Sequence, residues 1–220
     1  MLASLRPAAV LLAIFTIVCG LVYPAVVTGI AQLVMPDKAN GSLVKDDKGN
    51  VVGSELIGQS FTNPGRFWGR PSATSPQPNN AMSSSGSNLG PTNPALLDGV
   101  TGHVKAFADA DAAAHVARAA DAKIPVDLVT ASASGLDPDI SPAGAYWQVP
   151  RIAHERNVDE AKVKAIVDEH VVGRTLGIFG EARVNVLALN RALDQAFGAL
   201  PAANVDGATV DGAKIDGAAK

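Results

Sequence analysis

From Pro7 to Met35 the chain reads PAAVLLAIFTIVCGLVYPAVVTGIAQLVM, without one charged residue. A membrane-spanning helix needs roughly 20 apolar residues, so this stretch is expected to cross a bilayer. A cleaved secretory signal would have an apolar region of roughly 7 to 15 residues ending in an A-x-A site. Neither condition is met, and Val18 stands where a lipoprotein signal would put a small residue before Cys19. The segment therefore reads as an uncleaved anchor in contact with the lipid bilayer.

Arg6 and the amino terminus carry the positive charge before the span, and Asp37 and Lys38 open the flank after it. Positive charge favours the cytoplasmic side. The expectation is a single-pass protein of the inner (plasma) membrane with a cytoplasmic N-terminus and a large extracytoplasmic domain. Thr16, Cys19 and Tyr23 recur at i, i+3 and i+7, one face of a continuous helix. Ala25 and Gly29 add a small-x-x-x-small pair, which lets transmembrane backbones approach closely. The face around Thr16, Gly20 and Tyr23 is the candidate for assembly with a partner helix, and Pro24 should kink or locally open the span.

The remaining chain is expected to form an α+β (α/β-like) soluble domain. The boundaries read as a short flank at 1–6, the anchor at 7–35, the domain at 36–200 and a tail at 201–220. DDKGN should be a hairpin turn, with VVGSELIGQSF as its second β run. Between Asn63 and Pro94 lies a long excursion rich in Pro, Asn, Ser and Gly, interrupted by GRFWGRPSA, whose Phe67 and Trp68 should pack it. Asn93-Pro94 should start a helix through ALLDGVTGHVKAFA, followed by a second, alanine-rich segment, DADAAAHVARAADA. IPVDLVTAS reads as β-favouring, Ser141-Pro142 as a helix start, and AGAYWQVPRIAHERN as a helix distorted by Pro150. DEAKVKAIVDEHV should bury Val163, Ile166 and Val167, and RVNVLALN reads as a strand. The V-D-G-A repeats beyond Pro201 are too short and glycine-rich to pack and are expected to be disordered.

Several chemistries lack support. Charged residues make up 18% of the chain and the net charge is -3, without the basic surface that nucleic-acid binding requires. Cys19 is the only cysteine, so an internal disulfide and a cysteine zinc site are ruled out. The four histidines form no H-x-x-x-H pair and are expected at surfaces or helix ends. There is no phosphate-cradling G-x-x-x-x-G-K-[ST] and no G-x-S-x-G turn. Ser42-x-x-Lys45 matches a serine β-lactamase box but falls in the expected hairpin, without S-D-N or K-T-G partners. Asp127, Asp137, Asp139 and Glu155 could pair as catalytic carboxylates or serve as caps and turns.

Taken in order, the Tyr23-Pro24 span, GSELIGQSF, FWGRPSA, SGSNLGPTNP, PVDLVTASASGLDPDISPAGA, Gln148 and GRTLGIFGEARVNVLALNRALD resemble the KdpC family, from Pro7 to about Phe197. Members of that family belong to the Kdp potassium-transporting P-type ATPase. The resemblance implies a non-catalytic accessory subunit, with a P-type ATPase subunit and a channel-like potassium-binding subunit as partners. The chain itself has no D-K-T-G-T motif and no T-V-G-Y-G-like filter. As for cofactors, the resemblance implies none held firmly. ATP would be shared with the pump subunit, whose ATP affinity the chain would raise as a catalytic chaperone, and potassium would be carried by the complex. Gln148 would contact nucleotide, with Ser134 and Gly135 nearby. That implication conflicts with an extracytoplasmic domain, which could instead cap the ion entrance. Arg66, Trp68 and Arg70 of GRFWGRPSA, and Asn88 and Asn93 of SGSNLGPTNP, are the further candidates for partner contact. SSSGSN departs from the family's more usual S-G-G-S-N. An anchored extracytoplasmic enzyme and a tethered module working alone remain the alternatives.

Overall fold

The computed structural model describes residues 2–119 and 121–200, and the chain divides after Leu56 into two compact units. The repeat tail expected to be disordered lies outside the described residues.

The first unit begins with one apolar run in three parts: α1 (Leu2–Ile17), a π-helical turn (Val18–Val22) and α2 (Tyr23–Val34). Ser4–Val34 is long and apolar enough to cross a membrane, and none of its most apolar stretch is buried within the protein. Pro24 explains the π turn. Proline lacks the N–H that would close an α-helical bond to Gly20, and its ring crowds that carbonyl. The ladder widens instead, with the Tyr23 N–H donating to the Val18 carbonyl five residues back. The extra residue in this turn breaks the i, i+7 alignment of Thr16 with Tyr23, correcting the single face expected of a continuous helix.

After a short α3 (Pro36–Ala39), β1 (Leu43–Lys45) and β2 (Val51–Ser54) pair antiparallel, Leu43 opposite Ser54. The DDKGN turn forms as expected. Asp46 Oδ1 accepts from the N–H groups of Lys48 (2.9 Å) and Asn50 (2.8 Å), and Gly49 takes φ +84. The second strand ends at Ser54 rather than running to Phe61, because Ser54 Oγ donates to the Gly41 carbonyl and accepts from the Leu56 N–H, turning the chain.

In the second unit, α4 (Pro94–Ala113) is one helix. The Asn93 side chain caps it by accepting from the Ala95 N–H at 3.0 Å, and Pro94 occupies N1, as the sequence indicates. It runs on through DADAA, taking in the start of the alanine-rich segment. IPVDLVTAS is also corrected: it forms α5 (Val126–Val129), a single turn that buries Leu128 and Val129. There Asp127 accepts from both the Ser141 N–H (2.7 Å) and the Ser141 hydroxyl (3.1 Å), and this tertiary tie outweighs the β preference of the apolar residues.

β3 (Asp139–Ile140) leads to α6 (Pro142–Arg156), capped by the Ser141 hydroxyl on the Gly144 N–H (2.9 Å) and closed at Asn157, φ +51. The helix continues through Pro150, whose missing N–H takes the α-helical donor from the Tyr146 carbonyl four residues back. α7 (Glu160–His170) fully buries Val163 and Val167 and packs Ile166 against the core, as its periodicity requires. β4 (Val184–Asn185) pairs antiparallel with β3. The expected longer strand stops there because Asn185 Oδ1 caps α8 (Val186–Phe197) through the Ala188 N–H, 3.0 Å away. Phe67, Leu128, Ile140, Ile152, Val163, Val167, Val184, Leu189 and Leu193 form the shared core. The described domain is thus mixed but mainly helical, its strands short.

Candidate functional site

Phe67, the first residue of FWGRPSA, is fully buried. Its backbone and that of Trp68 would strand four polar groups away from regular structure. Two side-chain amides meet them. Asn190, on α8, accepts from the Phe67 N–H (2.8 Å) and donates to the Phe67 carbonyl (2.9 Å). Gln148, on α6, accepts from the Trp68 N–H (2.8 Å) and donates to the Trp68 carbonyl (3.0 Å). Both amides are buried, so each takes the place of a β-strand neighbour for one residue of the excursion.

Arg151 lies one turn beyond Gln148 and is also fully buried. Its guanidinium donates to Gln148 Oε1 (2.7 Å), the Arg66 carbonyl (3.3 Å) and the Pro64 carbonyl, and it lies 4.3 Å over the Trp68 ring. Burial lowers its pKa to about 10, with the charges of Asp111 and Glu155 pulling upward. Trp68 packs against Phe107 of α4, ring centroids 5.0 Å apart. Arg156 adds a bond to the Gly65 carbonyl (2.7 Å) and pairs with Asp194 (2.8 Å), which also pairs with Arg66 (2.9 Å). The segment 63–68 is therefore clamped onto α6 and α8 by helix side chains and a shared ion pair.

The structure thus brings Gln148, Trp68 and Arg66 into one network, but turns them inward. FWGRPSA packs inward, as expected of its aromatic pair: Phe67 is core, Trp68 is partly buried, and Arg70 pairs with Asp137 at 2.9 Å. Ser134 and Gly135 belong to another loop network. The Ser134 carbonyl accepts from the Ser85 N–H (2.9 Å), and the Gly135 carbonyl accepts from the Ser72 hydroxyl (2.6 Å). Gly135 has φ +66, and a Cβ there would sit 2.5 Å from Thr74 Cγ2 and 2.6 Å from the Ser85 carbonyl oxygen. Asn88 and Asn93 are exposed, as are Thr16, Gly20 and Tyr23 in the span.

The aspartates considered as catalytic pairs have structural roles. Asp127 holds the cap of α6, Asp137 pairs with Arg70, and Asp139 binds Asn185 (3.2 Å) and Arg183 (3.1 Å). Two of the histidines, distant in sequence, meet edge to face: the His115 and His154 rings are 5.7 Å apart. Sequence reasoning does not single out Arg151 or Asn190, although the signal exists. Arg151 falls beside Gln148 and Ile152 on the buried stripe of α6, and Asn190 sits among Val186, Leu189 and Leu193 on that of α8. A polar residue on an apolar stripe needs an internal partner.

Comparison with known proteins bears directly on these elements. The family described as K+-transporting ATPase, c chain, matches residues 5–195, which takes in the apolar helix and both clamp helices almost to the end of α8. The chain belongs to the KdpC family. It is similar to the potassium-transporting ATPase KdpC subunit of Janthinobacterium sp. (strain Marseille), 56% identical over 195 residues, 89% of this chain and 100% of the relative. The KdpC subunit of Dechloromonas aromatica (strain RCB) is 56% identical over 192 residues, 86% of this chain and 96% of the relative. That of Sorangium cellulosum (strain So ce56) is 56% identical over 196 residues, 89% and 100% respectively. As a KdpC chain it is a subunit of the K+-transporting ATPase complex, with one N-terminal apolar helix suited to single-pass anchoring.

Proposed function

We propose that this KdpC chain is a non-catalytic accessory subunit that assembles and stabilises the complex, with ATP hydrolysis and the ion path carried by partner subunits. It is held in the inner membrane by Ser4–Val34, and its second unit stands on the extracytoplasmic side. The observation that carries this reading is Gln148, whose buried amide is committed at both ends to the Trp68 backbone. Its neighbour Arg151 is likewise spent on backbone carbonyls. These polar groups shape a domain surface from within, and that use favours assembly over nucleotide contact. Charge at the ends of the span supports the sidedness, with Arg6 before it and Asp37 close after it.

The test is deletion of the chain from its own cells. Growth and potassium uptake at limiting potassium should be lost, and a tagged copy should restore both and co-purify with the other subunits. Normal uptake without the chain would refute the proposal.

A further inference from the structure

Between Val172 and Arg183 the chain makes a narrow hairpin away from the core. The two residues bridge antiparallel, and Thr175 and Phe179 bridge again nearer the tip. At that tip Leu176 is 84% exposed, Ile178 73% and Phe179 65%. Leu176 takes φ +55, followed by Gly177 at +74, and Gly180 has +76. A leucine in the left-handed region is strained, and an exposed one gains nothing from its own chain. Adjacent apolar side chains left in water on a built turn mark an interaction site.

The base of the hairpin identifies what covers the tip. Arg174 pairs with Glu181 through both carboxylate oxygens (2.8 and 2.6 Å), and Arg183 pairs with Asp139 (3.1 Å). The charges are closed in pairs, with no surplus cation among these residues to draw the tip to anionic headgroups, as interfacial membrane segments use. A neutral collar around an apolar tip instead matches the polar rim and apolar centre of a protein interface.

We propose that Leu176, Ile178 and Phe179 insert together into an apolar groove on another subunit of the potassium-transporting complex. This rests on the assembly reading above. The anchor helix supplies attachment to the bilayer, and the hairpin supplies a second, specific contact through the soluble unit.

The test uses the intact complex in native membranes. A photo-crosslinking benzophenone amino acid replaces Leu176, and in separate strains Ile178→Asp, Phe179→Asp and the conservative Phe179→Leu are introduced. Expected are adducts to another subunit, a roughly tenfold fall in recovered complex for both aspartate variants, and near-normal recovery for Phe179→Leu. Proteolysis of each variant shows whether the domain itself is intact. Adducts only to lipid, or only to a second copy of this chain, would overturn the proposal. So would aspartate variants that co-purify normally while deletion of the whole chain still abolishes uptake, a result that leaves the assembly reading standing. Failure of the unaltered chain to co-purify would overturn both.

Discussion

The side-chain amide of Gln148 closes a two-bond pair on the backbone of Trp68, and Asn190 does the same one residue earlier on Phe67. Two helices thereby hold consecutive residues of a segment that has no regular structure of its own.

Replacing Gln148 with leucine keeps most of the volume but leaves the Trp68 N–H and carbonyl without partners. Each stranded buried group costs about 1–3 kcal/mol. The expected loss is about 2–4 kcal/mol, since Trp68 is only partly buried, measured by denaturant unfolding of the full-length chain in detergent. Asn190→Leu should cost as much or more because Phe67 is fully buried. The double variant should lose less than the sum, since either change alone frees the same segment. Strict additivity would mean that the two amides do not act on one unit.

Arg151→Lys should destabilise the chain by about 1–3 kcal/mol. A lysine cannot reach Gln148, Arg66 and Pro64 together or stack flat over Trp68. Near-ultraviolet circular dichroism should show a changed Trp68 environment in the variant. An unchanged unfolding midpoint would show that the three acceptors do not depend on the guanidinium.

Burial raises the carboxyl of Asp139 above its ordinary value, with Asp137 adding to the rise and Asn185 and Arg183 opposing it. A carboxyl whose folded pKa exceeds its unfolded pKa binds more protons in the folded state across that interval. Its contribution to stability therefore falls as pH rises from the ordinary value of 3.8 through the raised one, then stays flat. Unfolding midpoints measured from acid to neutral pH should show Asp139→Asn losing that slope while keeping the bond to Asn185. A slope that persists in the variant would assign it to another group.

Gly135→Ala should be among the more damaging small substitutions, by about 2 kcal/mol or more, combining positive-φ strain with a contact shorter than real Cβ atoms tolerate. Gly99→Ala, in an exposed part of α4 with open space around it, should instead be neutral or stabilising. Thermal unfolding of the two variants side by side checks the contrast.

Capped and periodic features are legible in the sequence: the charge-free span, the DDKGN turn, the Asn93-Pro94 and Ser141-Pro142 starts and the buried face of α7. The misses share a cause. VDLV and VNVLALN are apolar runs too short for periodicity to separate strand from helix. Their state is decided by Asp127 and Asn185, side chains whose partners are set by the fold and by a cap. The clamp is half legible. Phe67 and Trp68 are expected to pack the excursion, but that Gln148, Arg151 and Asn190 meet its backbone is a relation between residues some 80 to 120 positions apart, which spacing along one chain cannot express. The π turn follows from Pro24, but its effect on the Thr16–Tyr23 face needs the actual ladder.

In the proposed arrangement the second unit stands outside the membrane, beyond the reach of cytoplasmic ATP. The most direct measurement is labelling of a single cysteine at Met82, which is 97% exposed, with Cys19 replaced by serine and the whole complex present. A membrane-impermeant maleimide should label it in intact cells at the same rate as after lysis. Protection in intact cells, with labelling only after lysis, would put the domain in the cytoplasm and contradict that arrangement.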